Sequence, residues 1–277
     1  MPPLQGLSKG FMLLHRMSIE LRILTLNTHK GFSTFNARFV IDELREAIRQ
    51  VSAELVFLQE VIGENEIQSQ IHHNWPDQSH YEFLADEIWT DFAYGKNAVY
   101  PYGHHGNALL SKYPILASQQ IDVSTNRFEQ RGFLYCTIDS PTSGETLHCV
   151  CVHLGLSAVS RAKQLDLIAS YIEENVPDCA PLIVAGDFND WSGRRGRVFA
   201  ERLGLKEAFQ QVHGKCAKSF PSFYPILRLD RIYLRGLCAT MSRVHACNVW
   251  SQLSDHAALY TEVHSRQSEH TDTVEES

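Results

Sequence analysis

The sequence runs to 277 residues, 44% of them hydrophobic and 21% charged, with a formal net charge of −7. A chain of this size and composition buries a sizeable core, as one large α/β domain or two ordinary ones. It holds no apolar run near the ~18–20 residues of a membrane span, and its acidic balance speaks against a protein that coats long nucleic acid with a basic face.

Residues 1–20 read as an N-terminal extension. Their apolar run, Phe11-Met12-Leu13-Leu14, falls short of the ~7–15 residues of a signal-peptide core, so a cytoplasmic location is expected. Met17 is an alternative start. The seven cysteines are an odd number without CxxC spacing, which predicts reduced thiols.

Residues 22–26 predict a strand ending at Asn27, with a turn at Gly31. Asn36 reads as a helix N-cap, because Val40, Leu44, Ala47, Ile48 and Val51 follow at helical spacing. Residues 55–58 are a second strand, stopping at Gln59-Glu60. From 62 to 106 the pattern weakens into short strands and long loops. The aromatics between Trp75 and Tyr102 read as a packed edge. Strands follow at 106–111, 115–123, 132–139 and 146–154, with a hairpin-type turn at 141–144. Ser160 reads as the cap of a second helix whose buried stripe is Leu165, Ile168, Ala169, Ile172 and Val176. A buried strand, Leu182-Ile183-Val184, then runs into Gly186-Asp187-Phe188-Asn189. A short helix at 194–203 and strands at 227–234, 243–250 and 257–263 complete a single domain over 21–263. Residues 264–277 read as a disordered acidic tail.

Asn27, Glu60, His153, Asp187 with Asn189, and Asp255-His256 each fall at or just beyond an end of a predicted strand. Open α/β sheets bind ligands outside the carboxyl ends of strands. Asp187 and Asn189 stand two residues apart and so project to one side. One can accept a proton and the other donates hydrogen bonds without charge, which suits holding a water against phosphorus. Glu60, Asp187, Asp255 and the two carboxamides are hard oxygen donors of the kind that suit Mg²⁺ or Mn²⁺. A zinc site wants His and Cys at fixed spacing. The pairs His72-His73 and His104-His105 are adjacent and do not converge on one metal. Neither a P-loop nor a GxSxG elbow is present.

Seven motifs then stand in a telling order: Leu24-Thr25-Leu26-Asn27, Leu58-Gln59-Glu60, Gly106-Asn107-Ala108-Leu109-Leu110-Ser111, Val152-His153-Leu154, Gly186-Asp187-Phe188-Asn189, Arg228-Leu229-Asp230-Arg231-Ile232 and Ser254-Asp255-His256. In this the sequence resembles the endonuclease/exonuclease/phosphatase superfamily, over residues 21–263. That superfamily includes DNase I-like nucleases, abasic-site endonucleases, inositol polyphosphate 5-phosphatases and neutral sphingomyelinases. The resemblance implies a four-layer α/β sandwich, two mixed β-sheets face to face with helices outside, and Mg²⁺-dependent hydrolysis of a phosphoester. It implies Glu60 as the main metal ligand, with Asn27 and Asp255 beside it. Asp187 would orient or deprotonate the attacking water, and Asn189 would hold a phosphate oxygen. His256 would contact the scissile phosphate with Asp230 fixing its ring, and His153 would be a second histidine on the phosphate. Asn107 would sit on a substrate-facing loop, and Arg131 is a candidate phosphate contact.

The subgroup signatures narrow the substrate. The Tyr-x-Pro-type stretch of abasic-site endonucleases is replaced by His153-Leu154-Gly155-Leu156-Ser157, and Arg228-Leu229-Asp230-Arg231 lacks the Trp-Cys of the 5-phosphatases. These forms look more like an uncharacterised bacterial branch, nearer to sphingomyelinase-like and small DNase-like members. Arg194-Arg195-Gly196-Arg197 reads either as a solvated helix start or as an anion-steering loop. The leading expectation is a phosphodiesterase on a small or lipid-linked substrate. A nuclease is the alternative within the same chemistry. A non-catalytic phosphate-ligand binding protein is the alternative of another class, and the intact polar set argues against it.

Overall fold

The computed structural model describes residues 20–139, 146–246 and 249–265. The extension before residue 20, the turn expected at 141–144 and positions 266–277 of the expected tail lie outside the described residues.

The first part of the chain forms β1 (Glu20–Asn27), α1 (Ile41–Val51), β2 (Leu55–Asn65), α2 (Glu66–Ile71), α3 (His80–Ala85), β3 (Asp91–Tyr100) and β4 (Gly103–Ser111). The second forms β5 (Ile115–Asp122), β6 (Gly132–Asp139), β7 (Thr146–His153), α4 (Ala158–Asn175), β8 (Leu182–Asp187), α5 (Arg194–Arg202), β9 (Lys206–Glu207), α6 (Ala208–His213) and β10 (Asp230–Arg235). Two closing strands, β11 (Leu237–His245) and β12 (Ala258–Ser265), return to the first part. One six-stranded sheet has the order β11-β12-β1-β2-β4-β3 and the other β5-β6-β7-β8-β10-β9. Each is mixed: β1 and β2 are parallel, as are β7 and β8, while β12 pairs antiparallel with β1, and β10 with β8.

The central strands are apolar on both faces because both faces are covered. Ile23, Leu55, Phe57 and Leu109 face Cys149, Cys151, Ile183 and Ile232 between the sheets. The alternate residues Leu24, Val56 and Leu58 pack under Leu44 and Ile48 of α1 and Leu84 of α3. On the other side Val150, Val152 and Val184 pack under Leu165, Ile168 and Ile172 of α4 and Phe199 of α5. The period-2 alternation of strands and the 3.6 period of helices thus give helix, sheet, sheet, helix, the expected four layers.

Five local expectations need correction, one being the strand expected at 243–250, where the strand is Leu237–His245 and Trp250 opens a 3-10 turn. The first helix starts at Ile41, because Phe35 and Asn36 both take positive φ in a preceding turn. In α4 the N-cap is Ser157, whose hydroxyl accepts from the Ser160 amide inside the first turn. The second strand does not stop at Glu60. It continues to Asn65 through a bulge in which Glu60 adopts φ 54°. Residues 62–106 hold two helices and two long strands instead of loops, and a Ser79/Glu82 capping box starts α3. The aromatics of that region do pack: Trp89 is buried, Trp75 stacks on Phe39 and Tyr81 on Tyr94. The six described cysteines are free. No helix among the described residues is long and apolar enough to cross a membrane.

Candidate active site

The ends of strands from both sheets meet at one rim. β1, β7 and β8 terminate there at Asn27, His153 and Asp187, and β10 begins there at Asp230. His256 stands just ahead of β12. The two sheets touch through these side chains, Asn27 Nδ2 lying 3.4 Å from Asp187 Oδ2.

Asp187 is the hub. Its Oδ2 lies 3.5 Å from His153 Nε2 and 3.8 Å from His256 Nε2. Its Oδ1 accepts from the Asn189 amide at 2.9 Å. The Asn189 carboxamide donates to the Leu154 carbonyl at 2.9 Å and reaches Asp187 Oδ2 at 3.3 Å, so it fixes the carboxylate it follows in sequence. Gly186 permits this. At φ 141° its backbone presses against β7, and a Cβ there would lie 2.1 Å from the Val152 carbonyl oxygen. His256 Nδ1 donates to Asp230 Oδ2 at 2.9 Å, which leaves Nε2 facing Asp187. Glu60, turned by its bulge, lies 3.9 Å from His153 Nε2 and 3.5 Å from Asn27 Nδ2.

The two histidines are pushed in opposite directions. Burial disfavours the charged ring of His256, but Asp230 and Asp187 override it and raise its pKa to about 10. Burial, with Arg131 nearby, lowers His153 to about 4. Burial and the neighbouring Asp230 raise Asp187, against the pull of His256. The rim thus holds a cationic donor and a neutral imidazole on either side of a desolvated carboxylate.

Asn27, Glu60, His153, Asp187, Asn189, Asp230 and His256 are therefore brought together, as the sequence led us to expect. Asp255 borders them, its Oδ1 3.3 Å from His29 Nδ1. Arg131 reaches the same rim, where its Nε donates to the Leu154 carbonyl at 3.2 Å. Asn107 is placed differently. It sits within strand β4 and not on a loop, fully buried, and donates to the Gly132 and Cys151 carbonyls at 3.0 and 3.1 Å. It ties one sheet to the other.

Three residues were given no role from the sequence. Lys30 Nζ lies 3.3 Å from Glu60 Oε2. With His153 and Lys30 nearby, Glu60 is held down to about 2 despite its burial. His29 contacts Asp255. Ser254 donates to the Asn27 carbonyl at 2.6 Å and accepts from the His256 amide at 3.1 Å, which locks the β12 approach to the end of β1. For His29 and Lys30 the only signal was their nearness to Asn27, and for Ser254 its place in the Ser254-Asp255-His256 motif.

The donor chemistry fits a hard divalent cation. Glu60 and Asp187 turn carboxylate oxygens toward the same two neighbours, Asn27 and His153, and oxygen-rich shells suit Mg²⁺. A tighter trio, Asp187, Asp230 and His256, offers ligand atoms within 4.8 Å of one another. There the Asp230 oxygen and the His256 nitrogen are already engaged with each other.

The comparisons with known proteins bear on the family and the fold. The description "Endonuclease/Exonuclease/phosphatase family" matches residues 24–256. YbhP, an uncharacterized protein of Escherichia coli K12, is 50% identical over 243 residues, 88% of this chain and 96% of that protein. A structure of an endonuclease/exonuclease/phosphatase from Beutenbergia cavernae has a TM-score of 0.71 at 17% identity, over 89% of this chain and 72% of that one. A humanized D. rerio TDP2 gives 0.66 at 20% identity, over 88% and 98%. Fold, motif order and match over nearly the whole described domain converge, and the chain belongs to the endonuclease/exonuclease/phosphatase family of hydrolases.

Proposed function

We propose that this protein hydrolyses a phosphodiester with the help of a divalent cation, Mg²⁺ or Mn²⁺, and that its substrate is small or lipid-linked. The observation that carries this reading is the buried Asp187 carboxylate set between a cationic His256 and a neutral His153. Phosphodiesters are anionic and repel an incoming hydroxide, so charge developing on the phosphoryl oxygens needs preplaced donors. His256 Nε2–H, pointed by Asp230, is one such donor. Asp187, raised by burial, orients a water and takes its proton. Asn189 keeps Asp187 in place, and Arg131 adds positive charge at the rim. Glu60, Asn27 and Asp255 would hold the cation, which when bound supplies Lewis-acid charge to the phosphate.

A nuclease is the second reading, in keeping with the TDP2-like fold. Purified protein with Mg²⁺ is expected to hydrolyse a chromogenic nitrophenyl phosphodiester, and Asp187→Ala to abolish this. Equal inertness of wild type and variant across metals and substrates would defeat the enzyme reading. Plasmid nicking with a steep salt dependence, in place of release from lipid substrates, would favour the nuclease.

A further inference from the structure

The rim that holds the site carries a second pattern, most of which the chemistry above does not use. The segments that leave or enter its strands span 28–40, 66–79, 123–131, 154–160, 188–197, 214–229 and 249–257. Together they contain ten lysines and arginines against five carboxylates, a formal +5 on a chain whose total is −7. The same loops carry exposed aromatic side chains: Phe35 and Phe128 are each 85% exposed, Tyr224 70%, and Trp191 62%. Aliphatic side chains stand among them. Leu156 is 71% exposed, and Val159 and Ile226 are exposed as well.

A large apolar patch ringed by charge marks an interaction surface. Its composition selects the partner. Aromatics and arginines alone would suit stacked bases. Leu156, Val159 and Ile226 have no π-face to offer a base, but they gain by leaving water for hydrocarbon. Tryptophan and tyrosine settle at the level of lipid headgroups, and lysine and arginine are drawn to an anionic leaflet. Charge complementarity and the aliphatic tips therefore agree on one occupant. We infer that the active-site rim docks onto an anionic membrane surface, so that the phosphodiester cleaved is one whose apolar part stays in the bilayer.

The inference rests on the hydrolase reading for its substrate and not for its docking surface. The full chain is expected to co-sediment with phosphatidylcholine vesicles that contain an anionic glycerophospholipid, and weakly or not at all with phosphatidylcholine alone. Each rim cation contributes about fivefold to partition near an anionic surface, so added salt should weaken binding. Phe128→Ser combined with Leu156→Ser should lower partition by about tenfold or more, while turnover of a soluble chromogenic phosphodiester stays unchanged. The Asp187→Ala variant should bind vesicles as wild type does. Vesicle binding without hydrolysis of any phosphodiester upholds the docking surface and defeats the hydrolase reading. Hydrolysis without vesicle binding does the reverse. Equal partition of wild type and the double variant overturns the inference. So does a protein that ignores vesicles and binds a single-stranded oligonucleotide through these same residues.

Discussion

Gly186 offers the sharpest test of how the fold builds the site. A methyl group at position 186 would lie 2.1 Å from the Val152 carbonyl oxygen, where real contacts begin near 3.0 Å, so β7 or β8 must move by about 0.9 Å. The backbone there also has φ 141°, outside the range of L-residues. Strain of this kind costs about 1–3 kcal/mol, and overpacking between buried strands adds about 1–3 kcal/mol. Gly186→Ala should therefore lose about 2–6 kcal/mol, a large share of the roughly 5–15 kcal/mol that holds a domain folded. Val152 and Gly186 are register partners one step before His153 and Asp187, so the displacement passes directly to the site. A misplacement near 1 Å can cost about a hundredfold in rate. Gly193 provides the control: it also has positive φ, but a Cβ there meets nothing within 4 Å, and Gly193→Ala should cost only about 1–2 kcal/mol. Urea titration gives both stabilities, and turnover of a soluble phosphodiester gives the second consequence. If the two variants unfold at the same midpoint, the close-approach argument is wrong.

Other outcomes follow from particular contacts. Asp230→Asn removes the carboxylate that points His256, and kcat on the soluble substrate should fall by about 10²–10⁴; a wild-type rate would detach Asp230 from catalysis. Asn107→Ala deletes the donor to two buried carbonyls on the facing sheet and should cost about 2–3 kcal/mol in urea titration; a loss below half a kilocalorie would show that the tie is dispensable. His80 sits buried against Trp75 and Phe39, and burial pushes it down from 6.5 to about 3. The folded state excludes its proton, so its contribution is complete above pH 6.5 and is lost as pH falls toward 3, at about 1.4 kcal/mol per unit. His80→Phe should flatten that part of the stability–pH curve, and unchanged slopes would contradict the burial argument. Glu60→Gly relieves φ 54° while deleting a carboxylate. The expected result is a protein no less stable by thermal melting and without activity, whereas a clear drop in Tm would mean that the bulge is unstrained.

The core was legible because apolar periodicity is a local signal. Leu165, Ile168 and Ile172 announce their helix, and Leu182-Ile183-Val184 their strand. Site residues were legible because motif order survives where overall identity fades, and because strand ends are visible as apolar runs that stop. What misled was backbone geometry that sequence does not encode strongly. A glutamate with positive φ looks like a strand end, so Glu60 hid the continuation of β2 to Asn65. Two short helices between 66 and 85 gave too few turns for a clear period. Asn107 carried a family motif, yet its role in the fold is set by partners 25 and 44 residues away, a separation that no local pattern reports. His29 and Lys30 were passed over as turn residues, although their cationic or imidazole ends reach Asp255 and Glu60.

Backbone strain and buried charge are gathered at the same rim. Among the described non-glycine residues with positive φ, His29, Lys30, Glu60 and Asn189 stand at the site. Such conformations persist only where the surroundings over-determine them, and here the surroundings are two sheets with apolar cores on both faces. The strain sets side-chain direction: the bulge turns Glu60 toward Asn27 and His153, and the turned Asn189 places its amide on Asp187. Asp187 and Asp230 would repel one another in this desolvated corner. The charged His256 between them offsets that repulsion, so the histidine that faces the substrate also holds the two carboxylates together. A change that neutralises His256 therefore acts on position as well as on charge. The site is a single electrostatic unit anchored where the ends of the two sheets meet.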